Sequence, residues 1–363
     1  MEMLLAGPRG RRLLLEFALA SERQRDPEYR EESLTAGVFL ASYHLDPGKG
    51  TSVQLFGDVG AETQEISPAE IASRMGAVPL VEVTPELLRD CVAESVSGAR
   101  YWQEPDGTDI LAGMPELAAS LRRVAAHLAA SPHTAWWSAP VEERLQWQVE
   151  WDGAPPRTVL EDPLSRLRHV QDEVLAEELT ARRERPTDPA ASWSGSWWSR
   201  PPWELPSSTR ALPDGAPAGL WFVEDTLGWE HATTRRVGIP AGLRIFEIDT
   251  AEAWASLCRR FPIEVTAQKR HDWYRTTGRD GSWVIPDWAK VAEHYDAVHL
   301  CTLTYPSAAS TAIPVDNETA SVIAGWGPDE TYWFTPRVRY VDEPIRWALH
   351  DDGEDNTWVR EES

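Results

Sequence analysis

Gly242-Leu243-Arg244-Ile245-Phe246-Glu247-Ile248-Asp249-Thr250-Ala251-Glu252 decides the fold class. Leu243 to Ile248 is rich in β-branched and aromatic residues broken by charges, the composition of a short strand. Thr250-Ala251-Glu252 then supplies a cap and a first-turn acid for a helix running to Arg260. A strand that feeds directly into a capped helix predicts sheet and helix packed together. Downstream, Asp287 caps a helix from Trp288 to His294, and Ala297-Val298-His299-Leu300 follows as a strand. Thr319 to Ala324 and Tyr332 to Phe334 read as two more strands. Upstream, Leu220-Trp221-Phe222-Val223 reads as an apolar strand ending at Glu224-Asp225, with a helix through Trp229 after it. This order predicts a small mixed sheet carrying helices.

Residues 1–186 read as mostly helical. Arg11-Arg12 followed by Leu13 to Ala20 superficially resembles a twin-arginine export signal. Glu16 interrupts the apolar run, however, and Leu13, Phe17 and Ala20 share one helical face, so an amphipathic first helix is expected. Leu34 to Tyr43 and Thr51 to Phe56 read as a hairpin about Asp46-Pro47-Gly48-Lys49-Gly50. Ser67-Pro68-Ala69-Glu70 and Thr84-Pro85-Glu86-Leu87 are helix starts, with a cap, a proline at the first helical position and an early acid. Leu117 to Ala130 is an amphipathic helix stopped at Ser131-Pro132, Trp147 to Val149 a short strand, and Leu164 to Arg185 a long charged helix.

The expected class is therefore α+β in two domains: a helix-rich domain over 1–186, and a mixed-sheet, Trp-rich, ligand-binding domain over 219–350. Between them, 187–218 is a Pro/Trp-rich connecting segment. Disordered linkers are poor in aromatics. Trp193, Trp197, Trp198 and Trp203 thus predict a segment that wraps over the second domain and buries its indoles there. The acidic tail, 351–363, is expected to fray.

The 363 residues carry a formal charge of -23. That balance opposes non-specific nucleic-acid binding, which draws its affinity from Lys and Arg, and it disfavours an anionic membrane surface. The three cysteines, Cys91, Cys258 and Cys301, form no Cys-x-x-Cys pair, so a reducing cytoplasm is expected and no metal site. His294 and His299 straddle a helix-to-strand junction and cannot share a helical face as a metal pair. No apolar run approaches the roughly 20 residues of a membrane span.

Dinucleotide, metalloprotease and nucleophile-elbow motifs are absent, and Gly48-Lys49-Gly50-Thr51 lacks phosphate-loop spacing. One stretch reverses the global charge. Arg259, Arg260, Lys269, Arg270, Arg275 and Arg279 face only Glu264 and Asp272, and they are interleaved with His271, Trp273 and Tyr274 before Gly278 and Gly281. Such a basic aromatic loop can hold a phosphate and stack on a ring, or it can pair with the protein's own carboxylates. Glu224, Asp225, His299, Cys301, Thr302, Thr304 and the turn Trp326-Gly327-Pro328-Asp329-Glu330 add polar groups at strand ends.

Two resemblances bear on function. Gly7 to Arg12, Ala99 to Gly107, Arg270 to Arg279 and Ala324-Gly325-Trp326 resemble segments of an actinobacterial two-domain family to which no activity is attached. Over residues 205–335, Ser207-Ser208-Thr209-Arg210, the expected strand Leu220 to Val223, a helix, the strand Leu243 to Asp249 and a late carboxylate resemble the element order of ADP-ribosyltransferases. That resemblance implies an Arg or His near the first strand holding NAD, a Ser-rich or Tyr-bearing strand, and a late Glu at the nicotinamide ribose. The chain departs from it in two ways: its Ser/Thr residues precede Arg210, and residues 205–335 contain no Glu-x-Glu or Gln-x-Glu. Glu318 or Glu330 is left as the late carboxylate.

The expected activity is a transferase acting on a nucleotide-like anionic ligand, with NAD the candidate cofactor. Glu330 and His299 are the catalytic candidates, and Arg210, His271, Trp273, Tyr274, Arg275 and Arg279 the ligand-binding ones. The alternatives are a non-catalytic binding or immunity-type protein that engages a basic partner through its acidic surface, and a carbohydrate-binding module with exposed indoles.

Overall fold

A computed structural model describes residues 2–26, 28, 30–48, 65–157, 159–225, 228–351 and 356–361. The chain is α+β, with helices concentrated in its N-terminal half and mixed sheets in its C-terminal half. The N-terminal helices are α1 (Pro8–Arg25), α2 (Leu34–Leu45), α3 (Pro68–Ala77), α4 (Pro85–Ser97), α5 (Gly107–Ala112) and α6 (Ala118–Ala129). Pro8 opens α1 at its first turn, and Leu13, Leu14 and Phe17 are wholly buried where it packs against α4 and α5. Each such side chain stabilises the fold by about 2 kcal/mol relative to exposure. Ser67 and Thr84 cap α3 and α4 as expected, each accepting from a backbone N–H three residues on.

The expected strand at Leu34 to Tyr43 is helix α2. Leu34, Val38 and Ala41 recur at helical spacing and are buried, while Phe39 is 64% exposed on the other side of the helix. Ser33 caps the helix, and the Glu22 carboxylate accepts from the N–H groups of Leu34 and Thr35. The other arm of the expected hairpin, Thr51 to Phe56, lies outside the described residues.

Next come β1 (Gln146–Trp151), α7 (Pro163–Glu184), β2 (Ser207–Arg210), β3 (His231–Gly238), β4 (Ile245–Ile248), α8 (Ala251–Arg260), β5 (Pro262–Glu264), α9 (Thr266–Thr277), β6 (Ser282–Pro286), α10 (Trp288–Ala292) and β7 (Ala297–Leu300). The chain closes with α11 (Thr304–Ala308), β8 (Ile313–Pro314), β9 (Thr319–Ser321), β10 (Thr331–Trp333), β11 (Arg339–Asp351) and β12 (Asn356–Arg360). An eight-stranded sheet runs β12-β11-β3-β1-β2-β10-β7-β4 and is antiparallel except where β4 meets β7. That parallel pair requires a long crossover, which includes α8, α9 and α10. A four-stranded sheet runs β5-β6-β9-β8.

Strands from both sides of residue 186 share the large sheet, since β1 pairs with β2 and β3, and one apolar core links the two halves. The segment expected as strand Leu220 to Val223 instead leaves a 3-10 turn, with the N–H groups of Trp221 and Phe222 both donating to the Ala218 carbonyl. No helix passes through Trp229. Its ring stacks on Trp151 at 4.9 Å, and the chain continues as β3, which buries Ala232, Thr234 and Val237. The stretch expected to fray holds β12, which pairs with β11 and buries Trp358. No helix among the described residues is long and apolar enough to cross a membrane.

Candidate functional site

The basic aromatic stretch is not a loop. Arg259 and Arg260 end α8, and Thr266–Thr277 form helix α9, closed by Gly278 in the left-handed region at φ 71° with Arg279 just beyond it. Its polar groups grip the connecting segment, largely through main-chain atoms. Lys269 Nζ donates to the Ser196 carbonyl at 2.8 Å, and the Trp273 indole N–H donates to the Trp197 carbonyl at 2.8 Å. Arg275 donates to the Trp102, Ala191 and Trp193 carbonyls and pairs with Asp272 at 3.0 Å. Asp272 in turn accepts from Ser194 Oγ and the Gly195 N–H. Arg279 donates to the Ser282 and Glu318 carbonyls over the Trp283 ring. His271 and Trp273 are buried, and Tyr274 is half-buried. The guanidiniums expected to hold a ligand are thus engaged by the protein itself.

The segment these groups hold does form the wall of a cleft. Of its indoles, Trp193 and Trp198 remain 41% and 43% exposed rather than being buried. The cleft has a volume of about 410 Å³ and is lined on one side by Trp102, Trp197 and Trp198, on another by Trp147, Trp151 and Trp229. Trp197 lies flat on Tyr101 at 5.1 Å, while Trp203 and Arg200 stand at the rim with the guanidinium 5.1 Å above the indole. A concave, aromatic cavity of this size with a few converging polar groups is the usual form of a small-ligand site.

Its floor is the turn Gly325-Trp326-Gly327, which fastens two carboxylates. The Gly325 N–H donates to Glu224 Oε2 at 2.7 Å, and the Gly327 N–H donates to Glu330 Oε2 at 3.0 Å. Both glycines are required there. Gly325 has φ 81°, and a Cβ at Gly327 would sit 2.8 Å from the Phe222 carbonyl oxygen. Glu224 Oε1 accepts from the hydroxyls of Tyr101 and Tyr305, at 2.8 and 2.7 Å. Burial pushes the Glu224 carboxyl up to about 8 against the opposing pull of those donors. Glu330 Oε1 accepts from Arg157 at 3.2 Å, and the same guanidinium nitrogen contacts Ser207 Oγ. Arg157 also stacks 3.8 Å over the Trp203 ring. The cleft therefore holds two fastened carboxylates, Glu330 paired with Arg157 and Glu224 buried so that its neutral form is favoured.

Of the expected site residues, only Glu330 lines this cleft. Arg210 is engaged with Asp329, donating its backbone N–H at 2.7 Å and Nε at 2.6 Å to the carboxylate, with its ring partner Trp136 at 4.6 Å. His299 is fully buried, 2.5 Å from Glu247 Oε2 through Nδ1 and 3.5 Å from Asp329 Oδ1 through Nε2. Burial works against its cationic form, but the Asp329, Cys301 and Glu247 partners prevail and hold its pKa well above the usual range. Glu318 is exposed beside β9. Sequence reasoning missed Arg157, whose readable signal was a lone Arg just after the strand containing Trp147 and Val149. It also missed the two Gly N–H groups that collect Glu224 and Glu330.

No family model, curated protein or solved structure matches the chain.

Proposed function

We propose that the indole-walled cleft binds a nucleotide-like anionic ligand, NAD the first candidate, and that the chain transfers its ADP-ribosyl group. The observation that supports this is the convergence of Arg157, Ser207 and Glu330 in one site. Their chain order is an Arg after a strand, a Ser-rich strand, then a late Glu, the order that the resemblance to ADP-ribosyltransferases implies. Arg157 takes the place expected for Arg210.

In this reading the exposed indoles stack on the flat rings, and Arg200 at the rim meets a phosphate. Breaking the bond between ribose and nicotinamide sends its electron pair out with nicotinamide and leaves positive charge on the ribose. Glu330, fixed by Arg157 and the Gly327 N–H, is the carboxylate placed to stabilise that charge. A nucleophile of the acceptor then closes on the ribose carbon.

Calorimetric titration with NAD, paired with chromatography for released nicotinamide, tests the proposal. Glu330→Gln is expected to bind NAD but release nicotinamide about 10²-fold more slowly. A wild-type protein that neither binds NAD nor releases nicotinamide overturns it. The formal charge of -23 favours a second reading, a binding protein for a basic partner. That reading expects no nucleotide uptake and a complex that weakens steeply with salt.

A further inference from the structure

We propose a metal site at the β4 edge of the large sheet, where Glu247, His299 and Cys301 bind one divalent cation of zinc type. It stands apart from the cleft and independent of the reading given to it. The parallel register of β4 and β7 sets Glu247 beside His299. Cys301, two residues on, returns to the same face, and its N–H continues the ladder to the Ile248 carbonyl. Oxygen, nitrogen and sulfur donors thereby meet with all three atoms within 4.8 Å of one another.

The two separations from sulfur approach those of a tetrahedral ion. Cys301 Sγ lies 3.7 Å from Glu247 Oε2 and 3.9 Å from His299 Nδ1. Zinc bonds of about 2.3 Å to sulfur and about 2.0–2.1 Å to nitrogen or oxygen place such donors about 3.3–3.6 Å apart. The Glu247–His299 pair, at 2.5 Å, is a hydrogen bond whose shared proton the cation replaces. A charge network of Glu247, His299 and Asp329 accounts for the imidazole without any metal. The Cys301 thiol joins that network at longer range, its nearest partner the Ala139 carbonyl at 3.6 Å.

The surroundings complete the case. The far nitrogen of His299 faces Asp329, which Arg210 locks in place, and a carboxylate behind a ligating imidazole fixes its ring and raises its basicity. A thiolate and a carboxylate balance a double positive charge where an uncompensated one is costly. Val141 N–H holds the second Glu247 oxygen, and the 27% exposure of the Glu247 side chain opens the site to solvent along the edge strand. Mixed thiolate, imidazole and carboxylate donors select zinc over calcium or magnesium. Three protein ligands leave the fourth position to water or a small ligand.

The test is a cobalt titration of the full-length chain after chelator treatment and dialysis. Wild type is expected to develop a thiolate-to-cobalt absorption band that saturates near about one ion per chain and is displaced by zinc. Cys301→Ser is expected to lose the band, Cys258→Ser to keep it, and Glu247→Gln to weaken cobalt binding at least about 10-fold. Absence of the band in wild type overturns the proposal whatever the variants do. So does a band that survives in Cys301→Ser or vanishes in Cys258→Ser.

Discussion

Asp329 and Glu330 are consecutive residues whose carboxylates serve separate sites. Asp329 accepts from Arg210 and faces His299 behind β7, whereas Glu330 accepts from Arg157 and the Gly327 N–H in the cleft. Asp329 takes φ 64°, a left-handed conformation that Asp tolerates better than most residues. The alternation of side chains entering β10 then sends the two acids apart. One turn therefore positions both the cleft carboxylate and the partner of His299.

Gly327→Ala tests that turn. Its Cβ would meet the backbone oxygen of Phe222 at 2.8 Å, so the turn must shift and Glu330 loses its N–H donor. A loss of about 1–3 kcal/mol by urea unfolding is expected. NAD-dependent nicotinamide release is expected to fall with it, and a variant as stable and as active as wild type would contradict the geometry.

Arg275→Ala separates grip from ligand binding. The side chain is 14% exposed, and its partner Asp272 only 1%. Removing it leaves a buried carboxylate and three carbonyls short of a donor, a loss of about 3 kcal/mol. Nucleotide affinity measured by calorimetry is expected to stay at the wild-type value, because Arg275 does not line the cleft. Unchanged unfolding with weakened binding would reverse the assignment.

Glu224 carries a pH signature. Its folded pKa of about 8 lies above the ordinary 4.5, so between those values the folded chain holds a proton that the unfolded chain has lost. Stability from this group is full below pH 4.5 and declines as pH rises through 8. Glu224→Gln is expected to flatten that decline in a series of urea midpoints, while keeping acceptors for the two tyrosine hydroxyls.

Lys269 gives the opposite slope. Burial lowers it from 10.5 to about 8, so between those values the unfolded chain binds the extra proton. Its contribution rises with pH across that window and is lost as pH falls through 8. The stability difference between wild type and Lys269→Met is expected to grow in favour of wild type from pH 8 to 10. A flat difference would mean that the amine stays charged beside Ser196.

Local signals were legible in the chain. Thr250 and Asp287 announced α8 and α10, and β4, β7 and β10 stood out by composition. Leu34, Val38 and Ala41 were ambiguous because apolar neighbours filled the other period as well. Strand β3 escaped notice because Thr233 to Arg236 is polar, and its place in the sheet depends on partners in β1 and β11 far along the chain. The site was harder still. Arg157 meets Glu330 across 173 residues, and no local pattern encodes that meeting. The charges of α9 read alike whether they await a phosphate or already hold carbonyls.

The carbonyl grip of α9 has an evolutionary consequence. Because Lys269, Trp273 and Arg275 recognise the backbone of residues 191–197, they fix the path of that stretch while placing few demands on its side chains. Trp198, which lines the cleft and is 43% exposed, is thus open to exchange in a descendant without loss of the scaffold. Selection can recut the wall of the cleft, and with it the molecule admitted, while the anchor beneath stays constant.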